Sequence, residues 1–333
     1  MAISLFDRRT LTRAIERIVP KPTPFVDNFA RKGINHNTKT VDIASLSGSV
    51  KMAPFSNRKT TGKMVGKRSG KYEYVEFPHI RLWTPFGDDD MESIDLTQPN
   101  IYANQDPGGL LQRKITKQLA EFRQMIQARI EWMFIKMMLD GAIDYTDNKG
   151  VEIDVNYGRS GSATISVTTD WDESTANPIN DLMKIDDYLM GTSAGIPDFY
   201  LFSPLAYQYF FENEKILTLL DKRNIEMAKI NPGKPGYLQP MAYYLGRPIY
   251  RYSVKDDLGS YLITDGYIIA SSTANDFFYD FGRLTEIDNP VGDIFSKSWI
   301  EQNPSSRILL AESNPLPMCS DINSVAVMNV KVS

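Results

Sequence analysis

The chain of 333 residues contains a single cysteine, Cys319, and two histidines, His36 and His79. One cysteine cannot form a disulfide bond within the chain, a composition typical of proteins made in a reducing cytoplasm. The two histidines lack a partner at ligand spacing, so we interpret both as ordinary surface or packing residues. No run of about 18 apolar residues, the length of a bilayer-spanning candidate, exists, and charges between positions 7 and 17 interrupt any signal-peptide core. We therefore expect a soluble protein made in the cytoplasm, with no membrane segment.

The charge of the chain is nearly balanced, with 37 Lys and Arg residues against 41 Asp and Glu residues and a net charge of −4. A chain with this balance is not expected to coat nucleic acid as a whole, although a local basic patch would still attract phosphate groups. Hydrophobic residues make up 42% and charged residues 23% of the sequence, which excludes a disordered or low-complexity chain. The length fits about two globular domains.

The first 35 residues are predicted to form an arm. Leu11, Ile15 and Ile18 lie at helical spacing after Thr10, and three prolines between positions 20 and 24 end any helix. Because one short apolar stripe does not stabilise an isolated helix in water, the arm must dock on a surface. The sequence leaves open whether that surface belongs to the same subunit or to a neighbouring copy.

Residues 36–90 are predicted to form a long two-stranded ribbon. β-Branched or aromatic residues alternate with charged residues over 39–43 and 71–77, the period-two pattern of strands. Between these strands lies a basic stretch without an acid, whose cations are Arg58, Lys59, Lys63, Lys67, Arg68 and Lys71. An isolated ribbon is marginally stable, so we expect a partner to order this one or its tip to remain mobile.

An acidic cluster follows the ribbon and consists of Asp88, Asp89, Asp90 and Glu92. Opposite charge blocks of this kind can complement each other between copies of one chain. The alternative is that the two blocks are unrelated solvated loops. A cation site is disfavoured, since three consecutive acids point in different directions and the spacing of a calcium-binding loop is missing.

The clearest predicted element is a helix over 107–139. Pro107 fits the first turn, Gly141 follows as a C-cap, and apolar residues recur every three or four positions from Leu111 to Met137. About 30 residues at about 1.5 Å each give a rod of roughly 45 Å, which indicates the backbone of an elongated domain. A coiled coil is the rival interpretation, although the apolar stripe widens toward the end of the helix.

The second half of the chain alternates helices and strands. Helices are predicted over 180–190 and 204–211, and strands over 151–155, 198–202, 248–252, 261–264, 267–270, 307–312 and 325–332. Residues 158–175 are rich in Gly, Ser and Thr and are interpreted as a loop or hairpin. Residues 180–290 therefore indicate a compact α/β unit.

No motif for catalysis or cofactor binding stands out. The stretch 62–69 resembles a phosphate-binding loop, but its glycine spacing is one residue short and Arg68 occupies the position of the magnesium-binding Ser or Thr. The sequence has neither a G-x-S-x-G elbow nor an H-E-x-x-H pair. We predict that the protein is not an enzyme and has no catalytic, cofactor-binding or metal-binding residues.

Four segments, taken in order along the chain, resemble one family. The C-terminal segment carries Ser298-Trp299-Ile300, Pro304, Arg307, Glu312-Ser313-Asn314-Pro315-Leu316 and Asp321 before an alternating valine strand. The earlier segments are Pro24-Phe25 with Phe29, Val151–Val155 leading into Gly158-Arg159-Ser160, and Phe202-Ser203-Pro204 followed by Leu220-Asp221-Lys222-Arg223. In order and spacing they resemble the lambda-type major capsid proteins of the phage capsid protein E family.

The resemblance implies an α+β chain with the Hong Kong 97-type fold of tailed-phage capsid proteins. The implied parts are an N-terminal arm (1–35), an extended β-ribbon or E-loop (36–90), a peripheral domain with a spine helix (91–179), a compact axial domain (180–290) and C-terminal strands that return to the peripheral domain (291–333).

The implied function is structural. Copies of the chain would self-assemble into hexamers and pentamers that form the icosahedral head shell of a tailed double-stranded DNA phage, assembled in the host cytoplasm and found in the virion. Expected partners are other copies, a portal, a scaffolding protein and a decoration protein, and the DNA is enclosed without sequence-specific binding. The ribbon cations are expected to contact a neighbouring subunit, with the acidic cluster as their complement. The alternative is the shell protein of an encapsulin-like nanocompartment with the same fold.

Overall fold

The computed structural model describes residues 8–17, 23–46, 70–87, 107–146, 152–193, 195–223, 238, 240–256, 258–285, 291–302 and 305–331. The helices in these ranges are α1 (Arg8–Arg17), α2 (Pro24–Phe29), α3 (Pro107–Asp140), α4 (Pro178–Met190), α5 (Pro204–Glu212) and α6 (Glu214–Arg223). The strands are β1 (Ala30–Asn35), β2 (Thr40–Leu46), β3 (Gly70–Glu76), β4 (Ile80–Phe86), β5 (Ala142–Thr146), β6 (Glu152–Asn156), β7 (Thr164–Ser166), β8 (Phe199–Phe202), β9 (Pro240–Tyr244), β10 (Arg247–Arg251), β11 (Tyr267–Ser271), β12 (Phe277–Phe281), β13 (Phe295–Gln302), β14 (Ser305–Ser313), β15 (Pro315–Cys319) and β16 (Val325–Asn329). This mixture of helices and largely antiparallel sheets confirms the predicted α+β class.

The long helix α3 forms the axis of the main core. Its predicted apolar stripe is buried, with Ile126, Ile130 and Phe134 fully inaccessible. Helices α1 and α2 and strands β5, β14, β15 and β16 pack against it. Because elements of the same chain cover the stripe, the coiled-coil interpretation is wrong.

The end of α3 is fixed by Gly141. This glycine has a φ of 71°, and its N–H donates to the Met137 carbonyl at 3.0 Å, the left-handed cap that the sequence predicts. An added Cβ would lie 2.6 Å from the Cβ of Arg159. The Arg159 guanidinium donates to the Met138 carbonyl at 2.6 Å, so this arginine closes the last turn of the helix.

A six-stranded sheet in the order β7-β16-β11-β8-β10-β9 separates two cores. One face packs on α4 and α5 around Tyr200, Phe202 and Ile268. The opposite face, which includes Leu201 and Ile269, belongs to the core around α3. The sheet therefore joins the α/β unit to the long helix.

Two predicted assignments in this unit are wrong. Residues 164–166, inside the predicted loop or hairpin, form β7, which pairs in parallel with β16. Three residues are too few to show alternation, and this strand exists only because a distant strand pairs with it. Residues 261–264 form no strand, since Tyr261 makes one isolated bridge to Lys255. The consecutive residues Leu262 and Ile263 are both buried, but they lie in an irregular bend and not in a strand.

The sheet of this unit includes strands from outside the predicted axial range. Both β7 and β16 lie beyond 180–290 in sequence, and the domain boundaries stay a prediction. The other sheets are β1-β12-β15, β13-β14-β4, the β2-β3 pair and the β5-β6 hairpin. None of the described helices combines the length and the apolarity that a bilayer-spanning segment needs.

Candidate assembly surfaces

Most of the predicted contact residues lie outside the described ranges. This holds for Arg58, Lys59, Lys63, Lys67 and Arg68 and for the acidic cluster Asp88, Asp89, Asp90 and Glu92. Lys71 lies in β3, where it is the register partner of Ser45 in β2. A contact between these charges and a neighbouring subunit stays a prediction.

The root of the ribbon is held firmly on the body of the protein. Strands β2 and β3 pair antiparallel from Thr40 opposite Glu76 to Leu46 opposite Gly70. At their base the Phe77 N–H donates to the carbonyl of Lys39 at 3.0 Å. The Phe77 side chain is 5% exposed and lies so close to Gly282 that a Cβ there would be 2.4 Å from its ring. The direction in which β2 and β3 leave the body is thus set by packing at their base.

The arm docks on its own subunit. In α1, Leu11 and Ile15 are buried, and the Thr12 hydroxyl donates to the carbonyl of Ser296 in β13 at 3.0 Å. The guanidinium of Arg123 in α3 donates to the Ile15 carbonyl at 2.6 Å. These contacts answer the question that the apolar stripe left open.

A buried carboxylate joins three elements at the centre of the molecule. Glu131 of α3 is 1% exposed and accepts hydrogen bonds from the backbone N–H groups of Phe25 at 2.7 Å and Val26 at 2.9 Å. It also accepts from the Tyr252 hydroxyl at 2.6 Å. Burial raises the pKa of Glu131, and the three donors partly offset that rise.

Sequence reasoning missed the role of Glu131. The one available signal is an acid between Ile130 and Trp132 in the most apolar part of the long helix. Its carboxylate holds the first turn of α2 and the end of β10 on α3, because Tyr252 directly follows that strand. The site is structural: it positions the arm, the long helix and the six-stranded sheet relative to one another.

The two histidines link strand ends, as expected of packing residues. The Nε2 of His36 lies 2.7 Å from an Asp280 oxygen, and the other Asp280 oxygen accepts from the Ile34 N–H. The Nδ1 of His79 lies 2.7 Å from the Asn314 side-chain oxygen. Among the residues that the structure describes, no group of three His, Cys, Asp or Glu side chains is arranged to hold a metal ion.

The outer face of the β4-β14-β13 sheet exposes tryptophan. Trp83 and Lys297 lie in register on either side of Leu310, and Trp299 lies beside Ile308. Trp83 is 60% and Trp299 39% exposed, whereas Leu310 and Ile308 are buried. The Lys297 ammonium lies 6.0 Å from the centre of the Trp299 ring. Apolar surface of this kind favours contact with another molecule.

Comparisons with known proteins agree along the whole length of the chain. The model of the family described as phage major capsid protein E matches residues 7–330. The major capsid protein of Enterobacteria phage P21 is 20% identical over 350 residues, which cover 99% of this chain and all of that protein. A crystal structure described as a prophage capsid protein of Escherichia coli CFT073 has a TM-score of 0.68 at 14% identity, with 98% of this chain and 99% of that chain covered. A phage-related protein of Bordetella bronchiseptica RB50 has a TM-score of 0.58 at 11% identity, with 97% and 96% covered.

Proposed function

The chain belongs to the phage major capsid protein E family, and we propose that it is the major head protein of a tailed double-stranded DNA phage. Copies assemble into hexamers and pentamers that close into an icosahedral shell, so the protein is part of the virion. The observation that carries this function is the family match over residues 7–330. The resemblance read from the sequence and the Hong Kong 97-type fold are both confirmed by the relatives.

The role is mechanical. Capsid families build shells, and the polar clusters described above hold strands and helices together. The encapsulin-like alternative is not favoured, because the family and the P21 relative are phage capsid proteins. We propose a portal, a scaffolding protein and a decoration protein as further partners, and enclosure of DNA without sequence-specific binding.

Assembly of the purified protein tests this function directly. Expressed alone and with the proteins encoded beside it, the chain should form closed shells of uniform size in negative-stain electron micrographs. Sedimentation should show particles far larger than the 37.8 kDa subunit. A protein that stays monomeric under all these conditions would contradict the proposal.

The basic stretch of the ribbon is proposed to lie across an adjacent subunit. One exposed ion pair contributes only about 0–1 kcal/mol, but the same contact recurs at every subunit of a shell. Replacing Lys59, Lys63, Lys67 and Arg68 together with Glu should raise the subunit concentration at which closed shells form by about tenfold, the equivalent of about 1.4 kcal/mol per subunit, and so lower the shell yield at a given concentration. The yield is measured by sedimentation at matched protein concentration.

Two further variants show whether charge is the cause. Replacing the same four residues with Gln removes the attraction without adding repulsion. The shell yield of this variant should therefore lie between those of the unchanged protein and the Glu-substituted protein. Replacing Asp88, Asp89, Asp90 and Glu92 with Lys in the charge-reversed protein should restore shells if the two blocks are complementary. Equal yields from the unchanged and charge-reversed proteins would disprove the ribbon contact.

A further inference from the structure

The outermost strand of the six-stranded sheet carries an exposed apolar face. Strand β9 lies at one end of the sheet order, and its residues Met241 and Tyr243 are 48% and 60% exposed. One strand further in, Tyr250 of β10 is covered by Phe29 of α2, with the ring centres 5.7 Å apart. The cover that the arm supplies therefore ends one strand short of this edge of the sheet.

Among the described residues, no strand pairs with β9 on the side away from β10. Tyr243 lies opposite Pro248, which has no N–H, so the backbone groups of Tyr243 point away from β10. Proteins usually protect such edges with charges, or by keeping the edge strand very short. The opposite edge of this sheet is the three-residue strand β7, whereas β9 has five residues, PMAYY, and no charge. Its proline and a bulge at Met241 lie at the start of the strand, so the part of the edge without such protection is 242–244.

The turn that follows β9 stores backbone strain. Leu245 has a φ of 49° and Gly246 a φ of 81°, the type I′ pattern for which Asn-Gly is favoured. A leucine rarely adopts this conformation, and Leu245 is also 64% exposed. Leu245 therefore raises the free energy of the free subunit in two ways: its backbone is strained and its apolar side chain is exposed to water.

The turn end of the hairpin is nevertheless anchored on α4 and β8. Asp186 of α4 accepts hydrogen bonds from the Tyr200 hydroxyl at 2.5 Å and from the Arg247 guanidinium at 2.7 Å. The ring of Tyr244 packs edge-on against Tyr200, and its buried hydroxyl has no hydrogen-bond partner among the described residues. An anchored strand with an exposed apolar face is a preformed contact surface, not a frayed end.

We propose that β9 and the Leu245–Gly246 turn bind a second copy of this chain in the assembled shell. This inference rests on the proposed function. An uncharged, exposed edge strand pairs readily with other chains, so it requires a partner that covers it in every assembled particle. In a shell of identical subunits that partner is another copy. Contact with it would remove Met241, Tyr243 and Leu245 from water and place Leu245 where its strain is offset.

The substitution Leu245→Asn separates assembly from folding. Asparagine tolerates the left-handed conformation, so isolated subunits of the variant should unfold at the same denaturant concentration as the unchanged protein or at a higher one. The subunit concentration needed for shell formation should nevertheless rise by about tenfold, because the apolar contact is lost. Stability is measured on dissociated subunits and assembly by light scattering.

Leu258→Asn is the matched control, because Leu258 is 91% exposed and lies in the turn that Asp256 closes, outside the hairpin. This variant should assemble as the unchanged protein does. Normal assembly of the Leu245→Asn protein would overturn the inference, and so would equal losses in both variants. If the unchanged protein forms no shells, the proposed function is contradicted. If it forms shells that Leu245→Asn does not affect, only the proposed contact at β9 is contradicted.

Labelling of a Tyr243→Cys variant with a maleimide locates the contact. The native Cys319 is half-buried, and desolvation raises the pKa of its thiol to about 12, so that thiol reacts slowly near neutral pH. The introduced cysteine should react about tenfold more slowly in shells than in free subunits, as expected for a site buried at an interface. Equal rates in shells made from this chain alone would show that a second copy does not cover the edge.

Discussion

Replacing Glu131 with Ala should lower the free energy of unfolding by about 3–5 kcal/mol. The substitution leaves three donors without an acceptor in a site that is closed to water: the N–H groups of Phe25 and Val26 and the hydroxyl of Tyr252. Urea unfolding of the dissociated subunit, followed by tryptophan fluorescence, measures the effect.

Two other variants bracket this result. Tyr252→Phe removes one of the three donors and should cost about 2 kcal/mol, the range of a hydrogen bond to a charged group. Glu121→Ala, at an exposed position of the same helix, should change stability by less than about 0.5 kcal/mol. A Glu131→Ala protein as stable as the Glu121→Ala protein would show that the buried carboxylate does not hold α2 and Tyr252 in place.

Gly282→Ala should destabilise the subunit by about 1–3 kcal/mol through overpacking at the root of the ribbon. The added methyl group would lie 2.4 to 2.7 Å from three atoms of Phe77. That side chain cannot retreat easily, because its backbone is bonded to Lys39 and its ring lies beside that of His36. Thermal unfolding of the subunit reports the loss.

A double-mutant cycle with Phe77→Ala identifies the cause. In the Phe77→Ala background two of the three crowded atoms are gone, so Gly282→Ala should cost clearly less there than in the unchanged protein. Gly161→Ala is the control, because an added Cβ at Gly161 meets nothing within 4 Å. Strictly additive losses from the two substitutions would mean that Phe77 is not the residue that excludes a side chain at 282.

The local patterns of the sequence predict the elements that depend on neighbouring residues. The stripe from Leu111 to Met137 gives α3 nearly to its ends, and the alternation over 39–43 and 71–77 gives the β2-β3 pair. The proline and glycine at the borders of α3 act within one turn of the helix. Such elements can be predicted from sequence because the residues that determine them lie within a few positions of one another.

What the sequence does not reveal depends on partners far along the chain. Strand β7 forms because β16 lies beside it, and Glu131 is satisfied by residues 105, 106 and 121 positions away. The apolar stripe of α1 predicts that the arm docks but not where, since many surfaces would cover Leu11 and Ile15. The strain at Leu245 is equally invisible, because its φ is set by the hairpin that it closes.

The position of β16 has a consequence for the order of events during translation. This strand lies between β7 and β11 and is the last strand to leave the ribosome among those described, although it fills an interior place in the sheet. Until residue 329 emerges, β7 has no strand to pair with and β11 presents an unpaired side. A nascent subunit therefore has a gap between β7 and β11 where the finished one has a continuous sheet, and β16, made after the other described strands, fills that gap.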